Sequence, residues 1–241
     1  GGNVQPSNER WVDGTTRPMA IPELRLVRST AMGHPHETLP MFPLGLVAFP
    51  GSVVPLRLFE PRYLALHEHL VLEDDKFGIV LIERGTAEAG GGDERFGVGT
   101  MMTVVRSAVL DDGTVLVIAA GQERIRIHEW LEPDPFPRAI VERLDQPGLD
   151  SSTNALVNEC RWLLHKVFEV ASELGADTSD VDLTLADDSV SAMYNIAHIA
   201  PLQEIDQQRI LEQDDASSAA EILRTELHGL IEMLEYERNG Q

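Results

Sequence analysis

Between Leu39 and Leu66 the sequence reads LPMFPLGLVAFPGSVVPLRLFEPRYLAL, five prolines set among large apolar residues. Proline removes a backbone donor and fixes φ, so this stretch is neither one long helix nor one central strand. Its apolar runs also fall far short of the ~18 residues that a membrane-spanning helix needs. The pattern left is a series of short extended segments, with prolines at strand ends or on sheet edges. The LGLVAFPGSVVPLRLF part predicts two short strands joined by a turn at Pro50 and Gly51. Pro61 then stands at the first position of a helix, where its missing N–H costs nothing, and Glu60 faces the positive end of the helix dipole. Tyr63, Leu66 and Leu70 follow at spacings of three and four, which predicts an amphipathic helix over 61–72.

From Arg62 to Glu132 there is no proline, and β-branched segments arrive in series. Strands are predicted over 77–84, 97–110, 114–121, 123–130 and 137–144, with Asp111-Asp112-Gly113 as a hairpin turn. In ERIRIHEW the alternation of Ile125 and Ile127 with Arg124, Arg126 and His128 puts one face in a core and the other in solvent. The region is a mostly antiparallel sheet, curled towards a barrel that hides its edges.

After DQPGLDSST the period changes. Leu156, Cys160, Leu163, Val167, Val170 and Leu174 share one helical face, with Thr153 or a neighbouring serine as cap and Gly175 as the stop. Further helices are expected from Ser189, after Pro201 and from Ser217. The reading is α+β: a largely irregular tail over 1–38, a β-rich part with one short helix over 39–146, and a helical bundle over 147–241.

Composition excludes more than it assigns. The net charge is −21, with 19 basic against 40 acidic residues, and most of the excess lies in the helical part. Such a surface repels phosphate backbones, which argues against nucleic-acid partners; its simplest role is solubility. One cysteine, Cys160, among apolar neighbours reads as a buried, inert thiol in a reducing compartment. The first residues lack the basic and apolar regions of a secretory signal, so a cytoplasmic protein without membrane segments is expected.

The proline-rich stretch resembles the signature of the Lon substrate-binding domain, found at the N-terminus of ATP-dependent Lon proteases and in related free-standing proteins. FGIVLIE, GVGTMMTVV, DGTVLVIAAGQERIRI and IAPLQEIDQQRILEQDD reinforce it, the third through the family's glycine, two residues, arginine and alternating apolar strand. The resemblance implies a PUA-like pseudo-barrel followed by a helical subdomain, and a role in recognising unfolded or apolar polypeptide in protein quality control. A partner protease or chaperone, and a part as adaptor or regulator of proteolysis, belong to the same implication. The sequence carries no phosphate-cradling Gly-x-x-x-x-Gly-Lys-Ser/Thr loop, and Lys76 and Lys166 are its only lysines. Neither ATPase nor protease activity is therefore expected, and a free-standing binding module is.

No cofactor or metal is expected. His67 and His69 lie two apart on the predicted helix and point away from one another; His34 and His36 lack an evident third ligand. The glycine run at 89–94 leads to a strand and not to a helix N-terminus, so it reads as a hairpin loop and not a phosphate site. In RLFEPRY, one reading is structural: Arg57, Glu60 and Arg62 form a charge network at the helix entry while Phe59 and Tyr63 fill the barrel mouth. The other makes the same five residues the rim of a groove that docks an extended peptide, with Tyr63 as its anchor if exposed. A competing class is a small-molecule site or enzyme in the pseudo-barrel pocket.

Overall fold

A computed structural model describes residues 35–84 and 94–240. Within them lie strands β1 (Glu37–Leu44), β2 (Val53–Leu58), β3 (Lys76–Arg84), β4 (Glu94–Arg95), β5 (Val98–Val109), β6 (Val115–Leu131) and β7 (Arg138–Arg143). The helices are α1 (Pro61–Leu72), between β2 and β3, then α2 (Thr153–Glu173), α3 (Ser189–Ile199), α4 (Glu204–Leu211) and α5 (Ala216–Gly240). Glu37 and Thr38, assigned to the tail from sequence, open the first strand. No helix among the described residues is long and apolar enough to cross a membrane.

The prolines explain how β1 is used. Its first half, Glu37 to Pro40, pairs antiparallel with β7, and its second half, Met41 to Leu44, pairs parallel with β3. Pro40 and Pro43 are therefore each flanked by one ladder, so neither missing donor interrupts a strand bonded on both sides. Pro55 lies in β2, which among the described residues pairs only with β6. By changing partner midway, β1 closes β1, β7, β6, β5 and β3 into a ring.

All five strands feed the interior of that ring. Met41, Ile125, Ala139 and Val141 are at 0 % exposure there, beside Leu39, Val80 and Met101. The interior is thus a packed core of side chains, with little room for the pocket that the competing small-molecule reading would place there. The opposite faces are covered differently: α1 and β2 bury Phe42, Leu56, Tyr63, Leu66 and Phe77 on one side, while the helices bury Val47, Phe49, Leu81 and Val98 on the other.

Two sequence expectations change here. Segments 114–121 and 123–130 are one strand, β6, of 17 residues. It pairs with β2 through its first half and with β7 through its second, and its register with β5 shifts between Gly121 and Arg124. A glycine is required at the shift, because a Cβ on Gly121 would stand 2.1 Å from the Phe49 carbonyl oxygen. The first strand expected before Pro50 is instead a buried loop. Its polar backbone is satisfied by side chains: Thr100 Oγ1 donates to the Ala48 carbonyl at 2.7 Å and Ser52 Oγ to that of Phe49 at 2.8 Å. The hairpin at Asp111-Asp112-Gly113 stands as expected, with Gly113 at φ 80° and Asp112 accepting from the Thr114 amide.

The β-part and the helices are joined through Arg124, which is 3 % exposed. Its guanidinium donates to the carbonyls of Leu211 at 3.1 Å, Gln213 at 2.6 Å and Asp145 at 2.8 Å, and to Asp214 Oδ1 at 3.2 Å. Leu211 and its neighbours end α4, where carbonyls lack intrahelical partners and the dipole favours a cation. Gln208 of the same helix returns a bond, its Nε2 donating to the Val98 carbonyl at 3.0 Å.

Helices α2 and α5 run parallel. Glu159 meets Arg224 and Glu173 meets Arg238, both at a sequence offset of 65. Asp215 caps α5, accepting from the Ser218 amide at 3.0 Å, and Asp150 caps α2: it accepts from the Ser152 and Thr153 amides and, across to α5, from Ser217 Oγ at 2.8 Å. It therefore does the capping expected of Thr153 or a serine, and these hydrogen bonds hold its carboxyl well below the usual carboxylate range. Cys160 lies between the two helices, its Sγ 3.6 Å from the Ala220 carbonyl. The expected apolar face holds, with Leu156 and Leu174 only half buried at its ends.

Replacing Arg124 by Met should strand three carbonyls at about 1–3 kcal/mol each where they stay dry. Urea unfolding should show a loss of about 3 kcal/mol or more; a loss below about 0.5 kcal/mol would mean that the junction is held elsewhere. Burial pushes the Cys160 thiol up to about 12. Native protein at pH 8 should therefore resist thiol reagents and react only at the rate of unfolding, which a stopped labelling series with and without urea measures.

Candidate functional site

Helix α1 is held at its start by Pro61, with the Tyr63 and Leu64 amides bonded to the Glu60 carbonyl at 2.9 Å. Tyr63, Leu66 and Leu70 form its buried stripe, as their spacing predicts. A second apolar stripe, Leu64, Val71 and Leu72 at i, i+7 and i+8, faces outward. Opposite it stands the end of the β5–β6 hairpin. Beyond Thr103, β5 pairs only with β6 among the described residues, so the hairpin reaches past the ring as an arm.

Helix and arm border an open groove of about 430 Å³ lined by Leu64, His67, Val71, Leu72, Val109 and Val115, with the exposed Glu68 at its rim. Its apolar walls are unusually wet: Leu72 is 82 % exposed, and Val71 and Val109 are nearly as open. His67 supplies a polar group. Burial lowers its imidazole pKa, partly opposed by Glu68, so the ring is neutral at pH 7. Its Nε2 is buried without a hydrogen-bond partner among the described residues. A neutral ring adds little charge to the apolar walls, so His67 contributes mainly its ring surface to the groove.

The five residues singled out from sequence divide. Phe59 is 67 % exposed and follows Leu58, which pairs with Val115 on the groove wall. Arg57 reaches the hairpin turn, its guanidinium 3.3 Å from Asp112 in a solvent-exposed pair that contributes little stability. Arg62 donates from Nε to Glu60 at 2.9 Å and lies over the Tyr63 ring at 4.6 Å. Arg57 and Arg62 thus meet different carboxylates, Asp112 and Glu60, and Phe59 is exposed and does not fill the barrel mouth. Tyr63 is 4 % exposed with its ring 4.1 Å from that of Phe42, so it is core and not a surface anchor. Sequence reasoning missed Val71, Leu72 and Val109, although the second stripe on α1 was a usable signal.

His67 and His69 make separate contacts, His69 with Glu73 at 3.7 Å and with the Phe136 ring. The glycine run at 89–94 lies, but for Glu94, outside the described residues.

A ring of strands flanked by one helix and followed by a helical subdomain defines a Lon N-terminal-type fold. The N-terminal domain of a Mycobacterium avium complex Lon protease superposes with a TM-score of 0.58 at 16% identity, covering 80% of this chain and 98% of that one. A Lon N-terminal domain protein from Xanthomonas campestris gives 0.54 at 22% identity, covering 78% and 96%. At the level of sequence, the profile of the ATP-dependent protease La (LON) substrate-binding domain matches residues 38–228, and the chain belongs to that family. Lon protease of Cytophaga hutchinsonii is 29% identical over 211 residues, and Lon protease of Escherichia coli K12 is 25% identical over 202. Those alignments cover 84% and 83% of this chain but only 25% and 26% of the relatives, so the chain spans about a quarter of their length.

Tyr63→Ala should cost about 3–5 kcal/mol, the usual effect of emptying a buried aromatic site. Thermal melting checks this; an unchanged melting temperature would mean that the ring contributes no packing.

Proposed function

We propose that the protein is a non-enzymatic binding module that captures unfolded, apolar polypeptide segments in the groove between α1 and the β5–β6 arm. The observation that carries the reading is that groove: exposed aliphatic walls around a half-buried, neutral histidine on an otherwise strongly acidic protein. Exposed contiguous apolar surface is costly to solubility and marks interaction sites. Membership of the substrate-binding family supports the same class of ligand.

The arm adds a sequence-independent element. An extended peptide laid along the outer edge of β5 beyond Thr103 gains main-chain hydrogen bonds, while its alternate side chains enter the groove. Backbone pairing tolerates many sequences, and the apolar walls select against charge. Ordering a flexible peptide offsets much of the gain, so affinity is micromolar or weaker. Delivery of captured segments to a protease, as adaptor or regulator, is the cellular role that such binding serves.

The test is fluorescence titration of a labelled, permanently unfolded polypeptide against wild type, Leu72→Gln and Val109→Thr. Both substitutions keep the local secondary-structure preference while removing apolar surface. Each should weaken capture about tenfold, equivalent to roughly 1.4 kcal/mol, with the melting temperature nearly unchanged. Equal binding by all three proteins would remove the groove from the account.

A further inference from the structure

A second site lies on the outside of the ring, on three adjacent strands. His36 immediately precedes Glu37, which pairs with Val141, so His36 falls beside Glu142 of β7. Glu142 is in register with Arg126 of β6, and the next residues of β6 form an irregularity between Ile127 and Glu129. His128 is the residue at that bulge. By alternation His128 lies on the face of Arg126 and so of Glu142, and at the bulge it reaches Glu142, Nε2 to Oε2 at 3.1 Å. The His36 ring stacks on His128, centroids 4.2 Å apart and planes at 28°. Two imidazoles and one carboxylate thus offer ligand atoms that all lie within 4.8 Å of one another.

We propose that His36, His128 and Glu142 form a binding site for a first-row divalent transition-metal ion, zinc above all. The donor set is two borderline nitrogens and one oxygen, suited to zinc, cobalt, nickel or copper and poorly suited to magnesium or calcium. Around a tetrahedral zinc with bonds of ~2.05 Å, neighbouring ligand atoms stand about 3.3 Å apart. The His128–Glu142 edge is already close to that value. The stacked rings must fan apart about χ2 to aim both lone pairs at one ion, a movement open to them because both histidines are exposed. The ion would replace the His128–Glu142 hydrogen bond, and water would complete the fourth position.

The surroundings admit a cation. Arg126, the nearest cation in register, leans towards Asp214 at 3.8 Å, and Arg143 is held by Glu37 at 2.6 Å. The overall charge of −21 also raises the local concentration of divalent ions. No spacing along the chain announces this set, because strand register assembles it.

The test is titration of the full chain with Zn²⁺ by calorimetry and with Co²⁺ by visible absorption, for wild type, His36→Ala, His128→Ala and Glu142→Gln. Wild type should bind one equivalent at submillimolar concentration, with a Co²⁺ spectrum of low symmetry and a higher melting temperature. Each variant should bind more than about tenfold more weakly while melting like wild type without metal. No saturable binding by wild type would overturn the assignment. So would binding that persists unchanged in all three variants, which would place the ion at other histidines.

Discussion

One guanidinium fixes how the two parts of this molecule meet. Arg124 leaves β6, passes out of the solvent and ends among carbonyls at the C-terminus of α4 and in the segment after β7. A buried charge is tolerable when most of its donors find acceptors, and here the orphaned carbonyls of a helix end serve Nη1, Asp145 and Asp214 serve Nη2, and Nε alone of the guanidinium nitrogens lacks a partner among the described residues. The condition acts in both directions. Helix α4 must stop at this point to present free carbonyls, and β6 must be placed so that Arg124 can reach them. Gly121 sets that placement, since only a residue without a Cβ lets β6 pass the Phe49 carbonyl.

Much of this was legible in the sequence, but as separate signals. The glycine and arginine of AGQER, and the helical IAPLQEIDQQRILEQDD, stand out as motifs without revealing that they are two halves of one junction. The reason is physical: the acceptors that Arg124 uses are mainly backbone carbonyls, which every residue possesses and no residue type announces. Periodicity found α1 to its boundaries and the faces of α2, because burial imposes a helical repeat. It failed between Leu44 and Val53, where a buried loop carries as many apolar residues as a strand, and it split β6 at a glycine required by a close approach and not by a turn.

The binding features follow the same division. Tyr63 was open to two readings, core or anchor, because aromatic residues near a helix start suit both; its burial against Phe42 decides for core. Leu72 and Val109 are the reverse case, ordinary aliphatic residues whose exposure depends on how far the hairpin projects. The cluster at His36 lies further still from sequence logic, its members brought together by the partner switch of β1 and a bulge in β6. Stability therefore rests on the interior of the ring and on the junction, while the surfaces proposed for binding use residues that the fold does not need.

The divided pairing of β1 has a consequence for how the chain is made. Its second half finds β3 after some forty residues of synthesis, but its first half waits for β7, and Glu37 and Arg143 are 106 residues apart. At about 5–20 residues per second, the ring stays open for roughly 5–20 s after β1 has left the ribosome. During that interval the apolar, proline-interrupted strand is itself an unfolded apolar segment. Prolines at Pro40 and Pro43 limit its ability to pair with foreign strands, so the residues that permit the partner switch also protect the nascent chain from aggregation.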